Sequence, residues 1–178
     1  MAKALVLLAQ GFEEIEAVTI VDVLRRADIV VTLAGLDETS VRGSHGIVVD
    51  ADATLDAIAL HGFDALALPG GMPGAKNLRE DERVLALVRA FVHEGKLVGA
   101  ICAGPTVLEA AGVLHERRAT GYPGHALPSA RYSEDRVVED GNIVTSRAAG
   151  TAMEFALTLV RRLLGTQVAE TERERLLA

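Results

Sequence analysis

The chain has 178 residues, a formal net charge of −7 and 49% hydrophobic residues. That length and apolar share suit one folded domain with a full core and exclude an extended disordered chain. An acidic balance with no basic tract excludes tight nonspecific nucleic-acid binding, and no apolar run is long enough to cross a membrane. Aromatic residues are only 3% and Trp is absent, so Ala, Val and Leu must fill the core. A single Cys leaves no internal disulfide and suits a reducing compartment. Met1–Ala4 leads directly into a strand pattern without signal-peptide features, so the expected location is the cytoplasm.

In chain order, Leu5–Ala9 is a short apolar run that predicts a buried parallel strand. Gly11-Phe12 turns the chain into a helix reaching about Arg26. Its first turns hold Glu13, Glu14 and Glu16, where acids complement the helix dipole. Ile29–Ala34 is the next strand. Val41-Arg42 and Ile47–Val49, joined through Gly43–Gly46, predict a hairpin. Ala65–Leu68 is another buried strand and ends in Pro69–Gly74. A helix follows from about Glu82 to Glu94, then a strand ending near Cys102 and a helix to about Ala111. Arg118–Gly121 is a short strand and Tyr122–Arg131 a loop. Asp140-Gly141 marks a second hairpin between Val137–Glu139 and Asn142–Thr145. A long helix from about Thr151 to Leu164 places Phe155, Leu159 and Leu163 on one face, and the charged tail from Thr166 reads as a loose helix. Alternating strands and helices predict an α/β sandwich of three layers around a mostly parallel sheet. Ligands in such sheets sit at the carboxyl ends of the strands. Gly11–Glu16, Pro69–Gly74 and Cys102 all fall there.

Cys102 lies where the strand turns into the helix, within Ala100-x-Cys102-x-Gly104. Small residues two before and two after are what a strained nucleophile elbow needs, and helical N–H groups under a sulfur favour thiolate. A lone Cys is also commonly a small buried hydrophobe. Glu13 and Glu14 read as surface acids. Glu16, in a more apolar stretch, reads either as a third surface acid or as a buried carboxyl of raised pKa that shares a proton with the sulfur. Gly70-Gly71 and Ala103 offer backbone N–H groups to a reacting oxygen, although a tight turn needs glycine anyway. None of the five histidines has metal-ligand spacing, no phosphate or dinucleotide loop is present, and no cofactor is expected.

Gly11–Glu16, Val21–Ala27, Leu68–Gly71, Ala100–Thr106, Tyr132–Val137, Thr145–Arg147 and Glu154–Leu157 together resemble the ThiJ/PfpI superfamily, in the branch of the Parkinson-associated deglycase. The likeness covers nearly the whole chain. It implies a flavodoxin-like fold, a homodimer, Cys102 as the reactive cysteine, Glu16 as its acid partner, and Gly71 and Ala103 as backbone donors. It also implies glyoxalase III activity on methylglyoxal or glyoxal and deglycation of early glycation adducts. Redox sensing with the cysteine oxidised to sulfinate, and chaperone-like protection, are the alternative. Two departures stand out. Tyr122 occupies the position of the branch's histidine, which leaves the proton work to Glu16, to the Tyr122 hydroxyl or to His125. His45 stands where relatives often have Arg near the subunit contact. A cysteine peptidase of this superfamily is disfavoured because its base follows the nucleophile directly, and that residue here is Ala103. A class I glutaminase is disfavoured because no His-x-Glu follows Cys102.

Overall fold

A computed structural model describes residues 1–178. The strand β1 (Lys3–Leu8) is the middle of the molecule, and its alternation explains the layers. Leu5 and Leu7 pack with one core cluster, whereas Ala4, Val6 and Leu8 pack with the other. Successive side chains of a strand point to opposite faces, so a strand apolar at every position must be covered on both.

Helix α1 (Glu14–Arg26) follows β1 and returns the chain to β2 (Val30–Gly35), which pairs parallel with β1. The hairpin β3 (Ser40–Arg42) and β4 (Val48–Asp50) stands off the main sheet, with Val41 opposite Val49. After β5 (Ala53–Thr54) the chain crosses to β6 (Ala65–Leu68), which pairs with the other edge of β1. Then come α2 (Gly74–Arg79), α3 (Glu82–His93), β7 (Leu97–Ile101) and α4 (Pro105–Ala110). Two-residue strands β8 (Arg118–Ala119) and β9 (Arg131–Tyr132) pair with each other and bracket the loop holding Tyr122 and His125. The hairpin β10 (Val137–Asp140) and β11 (Ile143–Ser146) turns at Gly141, whose φ of +59° suits glycine. Helices α5 (Ala152–Leu164) and α6 (Thr166–Leu176) close the chain.

The main sheet runs β10-β11-β7-β6-β1-β2-β5, parallel except for β10. On one side α1 and α5 cover it, with Ile20, Leu24, Phe155 and Leu159 in the core. On the other side α3 and α4 do so, with Val88, Phe91 and Leu108. The flavodoxin-like sandwich expected from the sequence is thus the architecture found. The direction of winding reverses between β1 and β6, which opens a crevice at their carboxyl ends. Two backbone bonds stitch the loops there, Gly74 N–H to Gly11 O (3.1 Å) and Glu13 N–H to Gly70 O (3.0 Å).

Two expectations need correction. The short helix α2 was hidden in the Pro/Gly-rich run after β6, where six residues give no periodicity. The tail is not loose: Ala169 and Glu172 of α6 are buried, and α6 packs along α5 after a break at Gly165 (φ +94°). Helix α3 starts from a side-chain cap, Asp81 Oδ1 accepting the Arg83 N–H at 2.9 Å. Asp81→Ala is expected to lower stability by about 1 kcal/mol, read from urea unfolding.

Candidate active site

Cys102 begins where β7 ends. Its backbone is left-handed, with φ +63°, a conformation that costs a residue with a Cβ about 1 kcal/mol. Neighbouring bonds lock it there. Cys102 N–H donates to Ser146 O (2.9 Å), Gly104 N–H to Ile101 O (2.8 Å), and Tyr122 N–H to Cys102 O (2.8 Å). Gly104 must be glycine for room, because a Cβ would lie 2.5 Å from Leu68 O. The elbow read from Ala100-x-Cys102-x-Gly104 is therefore the observed geometry.

Glu16 lies in the first turns of α1 and is fully buried. Oε2 accepts the Gly70 N–H at 2.7 Å, while Oε1 is buried without a conventional hydrogen-bond partner. The carboxyl and the Cys102 side chain both flank Gly70, near enough for each to shift the proton affinity of the other. Gly70 is the close point between them. A Cβ on it would stand 2.7 Å from Ala103 N, 2.8 Å from Cys102 Cβ and 2.9 Å from Glu16 Oε2. Backbone N–H groups of Ala103 and Gly71 lie on the sulfur's side of the loop and favour negative charge on it. Gly71 has φ +88°, and a Cβ there would meet Glu13 N at 2.3 Å, so glycine alone fits the loop.

Burial pushes the Glu16 carboxyl up to about 7, against the lowering effects of the Gly70 N–H and the thiol. Burial, then the charge of Glu16, push the Cys102 thiol up to about 12, while the N–H groups of Ala103 and Gly71 pull the other way. This corrects the expectation of a sulfur ionised on its own near neutrality. Desolvation and a neighbouring carboxylate outweigh the helix N-terminus. The two groups instead titrate as a pair that keeps one proton and one negative charge above about pH 7. Thiolate forms inside that pair when the remaining proton sits on Glu16.

Tyr122 and His125 lie on the loop above, their rings tilted with centroids 5.9 Å apart. Tyr122 is joined to Cys102 through its backbone N–H, and its side chain is about half exposed. A second correction concerns Glu14, expected at the surface. It is buried, and together with Glu13 it meets His45 and Ser44 of the β3–β4 turn. Sequence reasoning missed this cluster because its members are about thirty residues apart and no local pattern joins them. The donor atoms of Glu13, Glu14 and His45 lie within 4.8 Å of one another and are already engaged in mutual ion pairs.

An α/β fold with a strained cysteine elbow, a buried carboxyl on the sulfur and backbone donors around it defines a class of cysteine-centred proteins. The chain belongs to the DJ-1/PfpI family, which it matches over residues 2–162. It is 44% identical over 174 residues to the Parkinson disease protein 7 homolog of Danio rerio, covering 94% of this chain and 92% of that one. It is 38% identical over 168 residues to the glutathione-independent glyoxalase DJR-1.2 of Caenorhabditis elegans, covering 92% and 90%. The crystal structure of Drosophila melanogaster DJ-1beta superposes with a TM-score of 0.96 at 40% identity, over 99% of this chain and 98% of that one.

Proposed function

We propose that the protein is a cysteine-dependent enzyme of glyoxalase III and deglycase type, acting on methylglyoxal, glyoxal or early glycation adducts. The observation that carries this is the convergence of the Cys102 sulfur, the Glu16 carboxyl and the Gly71 and Ala103 N–H groups around Gly70. Similarity to a relative named a glutathione-independent glyoxalase supports it. Cys102 thiolate attacks the aldehyde carbon of methylglyoxal, forming the carbon–sulfur bond of a hemithioacetal. The N–H groups of Gly71 and Ala103 hold the new oxyanion until Glu16 protonates it. Glu16, now carboxylate, removes the proton from that carbon and returns it to the neighbouring one through an enediol. The product is a lactoyl thioester, and water cleaves it to lactate and free thiol. Deglycation uses the same attack on an aminocarbinol adduct. No redox partner or bound cofactor enters this sequence. Lactate formed from methylglyoxal in glutathione-free buffer, and lost after alkylation of Cys102, is the expected result; undiminished turnover by the alkylated protein contradicts it.

A second reading is favoured by the unpartnered Oε1 of Glu16 beside the sulfur. Protonated there, it donates to an oxygen on a cysteine sulfinate, the species formed when two equivalents of peroxide oxidise the thiolate and are reduced to water. That state suits a redox sensor or chaperone-like stress protein. Mass spectrometry after mild peroxide treatment tests it, and an unmodified Cys102 argues against it.

The functional unit we propose is a homodimer. On α1, Ile15 and Val18 are 58% and 53% exposed, and Ile47 and Val48 of the neighbouring hairpin are exposed as well. A groove of about 260 Å³ runs between α1 and β4, floored by Val18, Val21 and Val49. An apolar face of this kind fits a second copy of the chain. Val18→Asp is expected to convert the dimer to monomer in sedimentation at micromolar concentration. The reading includes no nucleic-acid partner, in keeping with the net charge. No helix is long and apolar enough to cross a membrane.

A further inference from the structure

Cys102 follows the end of β7, which lies between β6 and β11 in the sheet. The two sides of the elbow therefore differ. On the β6 side stand Gly70, Gly71 and the Glu16 carboxyl, the groups that the proposed reaction uses. On the β11 side Cys102 N–H donates to Ser146 O at 2.9 Å, and Cys102 O accepts the Tyr122 N–H at 2.8 Å. The segment before Tyr122 is fixed from three directions. Thr120 N–H donates to Thr145 Oγ1 of β11 at 2.9 Å, Tyr132 Oη to Gly121 O at 3.2 Å, and Ser133 N–H to Ala119 O at 2.8 Å. Gly121 runs so close to the elbow that a Cβ on it would lie 3.1 Å from Cys102 O.

Tyr122-Pro123-Gly124-His125 then turns the chain, and His125 N–H donates to Tyr122 O at 3.1 Å. Pro at the second position and Gly with φ +94° at the third meet the demands of a type II turn. The turn brings its first and fourth residues together, and the Tyr122 and His125 rings meet with centroids 5.9 Å apart at 57°. That spacing and tilt suit an aromatic contact. A half-exposed ring rooted beside the elbow is thus ordered before any ligand arrives. The apolar face assigned to the second subunit, on α1 and β4, borders β2 at the other half of the sheet.

We propose that the Tyr122 ring is the wall against which the substituent of a bound 2-oxoaldehyde lies, and that it selects aryl over methyl substituents. The inference rests on the proposed reaction at Cys102. In the hemithioacetal, the former aldehyde carbon carries the sulfur, a hydrogen, an oxygen and the neighbouring carbonyl carbon. The oxygen goes to the Gly71 and Ala103 N–H groups around Gly70, and Glu16 serves the hydrogen from that same side. The substituent on the neighbouring carbon is left to the β11 side, where the ring stands. A flat aryl group there packs on a ring already ordered, whereas a methyl group covers little of it. With phenylglyoxal the steps are unchanged and balance. The aldehyde carbon is oxidised to the carboxyl level and the ketone carbon is reduced to a carbinol. Water supplies one oxygen, and mandelate leaves with the thiol restored.

The test compares kcat and KM for phenylglyoxal and methylglyoxal in glutathione-free buffer, read as mandelate and lactate, with melting curves to establish folding. Ratios between the two substrates cancel any general damage at the elbow. In wild type, KM for phenylglyoxal is expected to be about tenfold below that for methylglyoxal. Tyr122→Ala is expected to lose that advantage through a rise in the phenylglyoxal KM and not a fall in its kcat. Should the alanine protein not fold, Tyr122→Leu replaces it, being apolar without an aromatic face. Tyr122→Phe keeps the face without the hydroxyl and is expected to retain the advantage. A wild-type KM for phenylglyoxal no lower than that for methylglyoxal overturns the inference, as does turnover of methylglyoxal alone. So does an advantage that survives in Tyr122→Ala or Tyr122→Leu, or one that Tyr122→Phe abolishes, since the hydroxyl is then responsible. Wild type that turns over neither dicarbonyl overturns instead the enzyme reading on which the inference stands.

Discussion

Cys102→Ser is expected to reduce lactate formation from methylglyoxal by at least about 10³-fold while leaving the melting temperature within a few degrees of wild type. Serine fits the same space and keeps the hydroxyl within reach of the Ala103 and Gly71 N–H groups. What it loses is ionisation. A hydroxyl holds its proton far more tightly than a thiol, and Glu16 is too weak a base to take it. The backbone at φ +63° is retained, so its strain is the same in both proteins and cancels from the stability comparison. Steady-state kinetics on the purified variant decide the point. Wild-type turnover from the serine protein would show that the sulfur forms no bond to substrate.

The layers of the fold were readable because β1, β6 and β7 are apolar at nearly every position, and such strands need cover on both faces. The hairpins announced themselves through Gly43–Gly46 and Asp140-Gly141. Helix α2 was not readable, since it is a single turn and a half set by the stitching of Gly74 to Gly11 and not by its own pattern. The burial of α6 was equally hidden. Its sequence is mostly charged, and only contact with α5 shows which two positions face inward.

The site was legible to a different depth for each residue. Ala100-x-Cys102-x-Gly104 gave the elbow because the steric demand is local, down to the 2.5 Å approach to Leu68 O that only a residue without a side chain survives. Glu16 was one of three acids at the start of α1, and only its more apolar neighbours set it apart from Glu13 and Glu14. Which one meets the sulfur depends on how α1 lies across the sheet. Ionisation was the least legible property. A helix N-terminus argues for thiolate, and the opposing desolvation and carboxylate charge exist only once Glu16 and Cys102 are folded against each other. The pair, not the sulfur alone, is the titrating unit. The kcat/KM profile is accordingly expected to rise through about pH 7, the value for Glu16, and then to stay level well into the alkaline range.

Glu16→Gln separates the chemical and structural effects of that carboxyl. Turnover is expected to fall about 10²- to 10⁴-fold, because an amide moves no proton between carbon and oxygen. Stability is expected to change in the opposite sense. The unfolded carboxyl titrates at 4.5 and the folded one at about 7, since burial disfavours the carboxylate. The folded chain therefore binds this proton more tightly than the unfolded chain. The stability it contributes is fully present below pH 4.5 and is lost as pH rises through 7. The interval corresponds to roughly 3 kcal/mol. Glutamine has no such titration and can still accept the Gly70 N–H. The variant is thus expected to be up to roughly 3 kcal/mol more stable than wild type near about pH 8, and nearly equal to it near about pH 4.5. Urea unfolding of both proteins at matched pH up to about 8 reads the difference, because every titrating group cancels except Cys102, which is coupled to Glu16 and keeps its proton in the unfolded chain over most of that range. If the two stability curves run parallel across this range, the buried carboxyl does not hold the proton assigned to it. If they diverge while turnover survives, the proton is there but the reaction does not use it. Divergence together with lost turnover indicates a buried acid retained for its chemistry, since an amide in the same place holds the fold more firmly.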